Sequence, residues 1–392
     1  MKNKSLRRAE YAFGIFMAFL MAFSLFAPSV RNSSRNSSQL TATPRPTATP
    51  LPTVPPPLTD FTGITFETDY LHPSGLYSVR YPTGWTPEQP SNDGTQVRIT
   101  FSNPTTLSEI EVYLKKPTSP VTTVEELDRH FTEAIARGSW GQYQNATETV
   151  RNVEEDRLYI DFTMTDYQER PLIGRQVAWI EGDWIYVVRV STPQNAPQLL
   201  LFLIDAMTNQ ITLYPQLAAA PVLWEGFYDS INRHILRHPP LWEQTDGGEN
   251  LPTSFEDTGT GGVQLRVEAQ ANVIADEAAA RDWAQALGSA VTVVSVVPVT
   301  RMGGEGFSVA YNSQNPDGEP LSGLAILLNG VDGQLHIARI QYPVGGLDLN
   351  SETARAADEL ANRVGMAMDT FSLLTDLVLP APTLEATAIP AQ

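Results

Sequence analysis

Apolar and polar positions alternate in three successive stretches: Tyr77, Val79 and Tyr81, then Val97, Ile99 and Phe101, then Ile110, Val112 and Leu114. A period of two puts every second side chain on one face, so each stretch predicts a half-buried β-strand. Asn92-Asp93-Gly94 separates two of these stretches and predicts a hairpin turn. Over residues 122–138 the period lengthens: Val124, Leu127, Phe131 and Ile135 fall on one helical stripe. Thr123 and Glu126 have capping-box spacing there, and Gly138 is placed to end the helix. Strands are expected again around 158–165, 174–180 and 184–190, followed by a closing helix at 197–208. A later run repeats the scheme. Asp276 caps a helix with Ala280, Trp283 and Leu287 inward, and a helix over 351–374 closes it. Strands in meander, interrupted by one helix and closed by another, predict an antiparallel sheet with helices packed on it. The expected fold class is α+β, in a domain of about 155 residues.

Two copies of that domain are expected. Arg80, Pro82 and Trp85 answer to Arg237, Pro239 and Trp242 within residues 79–85 and 236–242. A Pro-Leu-x-Gly segment at 171–174 answers to one at 320–323, and residues 186–193 answer to 336–343. The Trp-to-Pro-Leu-x-Gly spacings are 86 and 78 residues, and the spacings onward to the closing Pro are 22 and 23. Preserved order and spacing predict a tandem duplication, with domains at 61–216 and 222–376 and the boundary near Ala218–Pro221.

The segment Tyr77-Ser-Val-Arg-Tyr81-Pro82-Thr-Gly84-Trp85 resembles the opening strand of the PsbP/LpqN-like family, a Y-x-h-x-Y-P-x-G-W signature. The resemblance covers most of 62–214 and, more faintly, 223–376. It implies two tandem αβα-sandwich domains and an exported, non-catalytic accessory role in which such domains bind other proteins, sometimes ions or lipids. The second copy departs at the signature itself, with His238 for the Tyr and Leu241 for the Gly. No family metal or partner-binding residue transfers, because no matching motif is present. The signature positions Tyr77, Tyr81, Pro82, Gly84, Trp85, Pro239 and Trp242 are read as structural.

The ends of the chain differ from its middle. Residues 1–10 carry Lys2, Lys4, Arg7 and Arg8 against Glu10, and residues 11–27 are uncharged. Extended to Val30, that run is long enough to cross a hydrocarbon core about 30 Å thick, at about 1.5 Å per helical residue. Basic residues stay in the cytoplasm, so residues 1–10 are expected inside and all that follows 11–30 outside, as a single-pass protein of the cell membrane. A cleaved signal peptide is the competing reading, with small residues Ala22 and Ser24 at a cleavage site. Residues 31–60 are Ser/Thr-rich and carry prolines at 44, 46, 50, 52, 55, 56 and 57, which predicts a disordered, extended linker. The tail 377–392 is expected to be disordered too.

With 392 residues, the chain has room for two or three domains. The absence of cysteine excludes disulfides, cysteine-ligated metal, thiol catalysis and lipid attachment through cysteine. The net charge of −18 argues against nucleic-acid binding. Beyond residue 58 the chain holds 19 basic against 43 acidic side chains, an acidity that suits solubility and would attract cations or a basic partner.

Motifs for chemistry are missing. None of His72, His130, His234, His238 and His336 lies in a zinc-type spacing. His234 and His238 are placed in or before an extended strand, where a turn or strand-surface role outweighs metal ligation. His130 is read as solvated. Gly303-Gly304-Glu305-Gly306 precedes a strand and reads as a turn, not a phosphate loop. No serine-nucleophile elbow, P-loop, dinucleotide fingerprint or calcium loop is found. Catalytic, cofactor-binding and metal residues are therefore all expected to be none. The expected function is a non-enzymatic binding or accessory protein, anchored through 11–30, that docks on an envelope protein. A carrier or sensor of a small ligand, lipid or divalent ion is the second reading, and a hydrolase the third.

Overall fold

Val97, Ile99 and Phe101 are fully buried while the residues between them are not, whereas the strand that follows is buried on both faces from Ile110 to Leu114. A computed structural model describes residues 54–248, 251–259 and 262–380. The expected membrane segment 11–30 and the tail beyond 380 lie outside the described residues, as do 31–53 of the linker.

In the first half, β1 (Thr68–Leu71), β2 (Tyr77–Tyr81), β3 (Thr86–Asn92), β4 (Gln96–Asn103) and β5 (Ser108–Lys115) lead into two short helices, α1 (Val124–His130) and α2 (Glu133–Gly138). Next come β6 (Gln144–Glu154), β7 (Arg157–Thr165), β8 (Pro171–Glu181), β9 (Trp184–Pro193), α3 (Pro197–Met207) and β10 (Ile211–Leu213). Seven of these strands form one antiparallel sheet in the order β3-β4-β5-β9-β8-β7-β6. All ten residues of β9, at the centre, are buried, as expected of a strand covered on both faces. The β3–β4 turn forms at Asn92-Asp93-Gly94, where Gly94 has φ +85° and Asp93 accepts the Thr95 and Gln96 amides.

In the second half, β11 (Glu225–Asp229), β12 (His234–His238), β13 (Trp242–Gly248), β14 (Leu251–Asp257), β15 (Gln264–Gln270) and α4 (Glu277–Gln285) come first. They are followed by β16 (Thr292–Arg301), β17 (Gly304–Gln314), β18 (Pro320–Gly330), β19 (Leu335–Tyr342), α5 (Glu352–Ala356), α6 (Glu359–Thr370) and β20 (Ser372–Leu373). Its large sheet runs β13-β14-β15-β19-β18-β17-β16, strand for strand the order of the first. Each half also has a three-stranded sheet, β1-β2-β10 in one and β11-β12-β20 in the other.

The expected α+β class, with each domain an αβα sandwich of a sheet and packed helices, is overturned. The chain is mostly β: two seven-stranded antiparallel sheets dominate, and no described helix exceeds 12 residues. Two local causes are visible. The run read as one helix over 122–138 breaks at Phe131–Thr132, because the Thr132 hydroxyl accepts the Ile135 amide (3.4 Å) and starts a new helix. The run read as a helix over 351–374 breaks before Asp358, which caps Ala361 (2.9 Å), and ends at Thr370, after which Ser372 and Leu373 pair with Ile235 and His234. The cover over one face of each large sheet is also partly β. Tyr77, Val79 and Tyr81 of the first small sheet pack with Val97, Ile99, Phe101 and Val112 of the large one. α3 completes that layer with Leu199, Leu203 and Met207, at about 1.5–3 kcal/mol for each buried side chain.

Segments read as linker and tail are seated on the first half at their described ends. Asn195 donates to the Pro55 carbonyl (3.2 Å), and Val378 exchanges hydrogen bonds with Asp69 (2.8 and 2.9 Å). Among the described residues, no helix is long and apolar enough to cross a membrane.

Candidate functional site

The signature residues build a strand and the turn that leaves it. Tyr77 is fully buried, stacks on His72 (5.1 Å between ring centres), and its hydroxyl finds no hydrogen-bond partner. Tyr81 stacks on Phe101 (4.7 Å). Pro82 accepts the Trp85 amide (3.1 Å), and Gly84 sits at the third turn position with φ +82°, a left-handed conformation that favours glycine. Pro239 and Trp242 repeat the turn hydrogen bond (3.0 Å), but Leu241 is not among the residues with positive φ, so the second turn dispenses with glycine. Trp85 and Trp242 both end in cores. None of these residues opens onto a cleft with reactive groups.

Arg80 and Arg237 occupy matching positions and do different things. Arg80 is half exposed and pairs with Asp69 across the β1–β2 ladder (3.1 Å). Opposite Arg237 in the β11–β12 ladder stands Gly226, which offers no carboxylate. Arg237 is fully buried and donates only to backbone carbonyls: Ser74 (2.7 Å), Leu217 (2.8 Å), Ala220 (3.1 Å), Pro221 (2.8 Å), Val222 (3.0 Å) and Trp224 (3.0 Å). Burial without a counter-charge pushes its pKa down to about 9. One side chain of the second half thus holds the whole connection between the halves and a turn of the first. The backbones meet beside it: a Cβ on Gly226 would come within 2.6 Å of the Gly75 nitrogen.

A cleft of about 560 Å³ opens near this junction. Asp69, Ser78, Arg80, Asn209 and Tyr214 line it from the first half, and Met302, Gly303 and Asp376 from the second. Ser78 and Tyr214 hydroxyls are bonded to each other at 2.7 Å, and Asp69 is taken up by Arg80 and Val378, so its polar walls are largely self-satisfied. Gly303 forms the turn between β16 and β17 with φ +73°, where a Cβ would come within 2.5 Å of the Leu373 carbonyl. The glycine-rich run is a turn in the structure.

Two polar networks escape the sequence reading. In the first, Glu111 and Arg189 pair at 3.1 Å, both 5% exposed or close to it, and Arg189 also donates to Gln176 (2.8 Å), Tyr113 (2.8 Å) and the Ser139 carbonyl (3.2 Å). Glu109, two residues earlier on the same face of β5, accepts from Tyr143 (3.0 Å), and burial pushes its pKa up. The signal was available: with Ile110, Val112 and Leu114 on one face, Glu109 and Glu111 must share the other. In the second network, His336 Nε2 donates to Asp332 (3.1 Å), which leaves Nδ1 to accept from His234 Nε2 (2.7 Å). Burial, reinforced by His336, pushes the His234 pKa down to about 3. His234 and His238 are both buried, which overturns the surface role read for them; a strand covered on both sides has no solvent face. His130 is half-buried and bonded to Lys115 (3.1 Å), not freely solvated. Among the described residues, no group of three or more His, Asp or Glu is placed to hold a metal ion.

No family model matches the chain, and no curated protein does. Among solved structures, a protein from Bacteroides thetaiotaomicron is similar at 12% identity and TM-score 0.26 over 38% of this chain, which spans about half (48%) of that protein's length. The cyanobacterial PsbP (CyanoP) from Synechocystis is similar at 16% identity and TM-score 0.26, over 39% of this chain and 96% of its own. The immunity protein TplEi of the type VI secretion system (T6SS) of Pseudomonas aeruginosa is similar at 8% identity and TM-score 0.23, over 80% of this chain and 98% of its own. A PsbP is thus among the structures the chain resembles in part. Every TM-score here is below 0.5, and no activity is carried over from these likenesses.

Proposed function

We propose that the protein is a non-enzymatic binding module that works as one rigid body outside the cytoplasm. Residues 11–30 hold it at the membrane, the Thr/Pro stretch sets it off from the surface, and its partner is an envelope protein or surface component. The two halves descend from one duplicated PsbP/LpqN-like unit, a reading supported by their common strand order and by the Tyr77–Trp85 signature.

The observation that carries this reading is Arg237. A hinged carrier closes its halves over a ligand, so the connection between them must move. Here that connection is held at five carbonyls by a buried cation, with Ser74 of the first half as a sixth. Hydrogen bonds to a charged donor contribute about 1.5–3 kcal/mol each, so separating them exceeds thermal energy many times over. A fixed body suits a docking surface better than a closing clamp. The acidity beyond residue 58 favours a partner with a basic face.

The test is photo-cross-linking in intact cells, with the reactive residue placed at Asn209 or at Asp376 of the full-length chain. These exposed positions line the junction cleft, one from each half. Docking by one rigid surface predicts the same envelope partner from both positions. Different partners from the two positions, or none above background, would count against it.

A further inference from the structure

After residue 4 the chain contains only two lysines, Lys115 and Lys116, and both line one cleft of the first half. The cleft measures about 590 Å³ and lies where the end of β5 meets the last turn of α1. Arg129, His130, Thr95, Thr118 and Ser119 also line it, with the carboxylate Glu126.

The cations are uncommitted. Eleven arginines among the described residues make ion pairs with carboxylates, whereas Lys115, Lys116 and Arg129 make none. Lys115 donates one hydrogen to His130 Nε2 (3.1 Å), and two remain. Arg129 donates Nε–H to the Glu125 carbonyl (3.2 Å), which holds the guanidinium and leaves its terminal amino groups free. Lys116 rests over the Trp184 ring (5.7 Å). The acids nearby are occupied: Glu126 accepts from the Thr122 amide (2.8 Å) and hydroxyl (3.0 Å), and Asp93, close enough to feel Lys115, accepts from Thr95 and Gln96.

We infer that this cleft binds a phosphate group, as a phosphate monoester or inorganic phosphate. Its lining carries three fixed positive charges against one carboxylate, the excess that a dianion neutralises. The free arm of Arg129 offers the forked donor pair that phosphate oxygens accept, and the two lysines supply point charges beside it. The volume admits a phosphoryl group with an organic substituent. A long polyanion is disfavoured by the chain's net charge of −18, which selects a compact ligand. The inference stands apart from the rigid-body reading.

The scarcity of lysine supplies the experiment. The full-length chain in detergent is treated briefly with an amine-reactive acylating reagent, and labelling of Lys115 and Lys116 is read by peptide mass spectrometry against Lys2 and Lys4. Inorganic phosphate, glycerol 3-phosphate or phosphatidic acid in the micelle is added, with chloride at equal ionic strength as the reference. A dissociation constant of a few millimolar predicts that about 10 mM phosphate slows labelling of Lys115 and Lys116 about fivefold, leaving Lys2 and Lys4 unchanged. Protection by glycerol 3-phosphate assigns a soluble ester, and protection confined to phosphatidic acid assigns a lipid headgroup; both are the proposed chemistry. Arg129→Gln is expected to remove most of the protection, read as the ratio of labelling rates with and without phosphate for the same variant. No protection by any of the three, or equal protection by chloride, overturns the inference.

Discussion

Acid should weaken the first half through His72, and the size of the effect follows from its surroundings. The ring is buried, with Nδ1 accepting the Ser74 amide (3.1 Å) and Nε2 facing the Arg98 carbonyl (3.1 Å). An amide can only donate, so Nδ1 carries no proton and Nε2–H donates to Arg98: the native ring is the neutral Nε2–H tautomer. Protonating Nδ1 breaks the contact with the Ser74 amide, leaving only the Ser74 hydroxyl (2.8 Å) to accept, and places a charge in a buried site. Burial accordingly pushes the His72 pKa down to about 4, from an ordinary value of 6.5. The unfolded chain takes up its proton near 6.5, and the folded chain only near 4. Above 6.5 neither state is protonated and the native ring contributes its full stability; between 6.5 and 4 that stability drains away as pH falls. The shift corresponds to about 3 kcal/mol at about 1.36 kcal/mol per unit. Because His234 and His238 also have lowered pKa values, the test compares the parent with His72→Gln. Urea unfolding of both at pH 7 and pH 4 should show the stability gap between them shrinking by about 3 kcal/mol towards acid. A gap constant within about 0.5 kcal/mol across that range would refute the tautomer assignment and the buried neutral ring.

Other substitutions probe the junction, the signature turn and the buried ion pair. Gly226→Ala drives a methyl to within 2.6 Å of the Gly75 nitrogen and should cost about 1–3 kcal/mol in urea unfolding. Gly84→Ala meets no atom within 4 Å, so its expected loss of about 1–2 kcal/mol is conformational alone, and Leu241→Ala at the matching turn should show no such term. Glu111→Gln leaves Arg189 buried without its carboxylate and should cost about 3–5 kcal/mol; a loss under about 1 kcal/mol would mean that Gln176, Tyr113 and the Ser139 carbonyl suffice to hold the guanidinium.

Strands were legible in the sequence because one face of each was apolar, as at Tyr77, Val79 and Tyr81. Helix lengths were not. The stripe Val124, Leu127, Phe131, Ile135 runs straight through the break at Thr132, and Ile135 ends up 48% exposed, so the apolar period outlasted the helix that it implied. The Thr123 cap formed, but Glu126 returned its carboxylate to Thr122 and not to Thr123 itself. The α+β expectation failed for the same reason: helical periodicity was counted as cover, while short strands such as Thr68–Leu71 and Ile211–Leu213 carry too few residues to show a pattern. Arg237 could not be read at all. Its acceptors are six backbone carbonyls, which carry no residue-type signal, and Ser74 lies 163 positions away. The Lys115–Arg129 cleft was half legible, since the scarcity of lysine is visible in the sequence but its meeting with α1 is not.

The rigid-body claim rests on Arg237, and a distance measurement tests it most directly. The chain has no cysteine, so one introduced on each half, at exposed Asn209 and Val344, takes spin labels without background. Pulsed electron resonance should give one narrow distance distribution in the parent and a broadened one in Arg237→Met, which strands the six carbonyls. A broad or two-peaked distribution in the parent, or a narrow one that survives Arg237→Met unchanged, would contradict it.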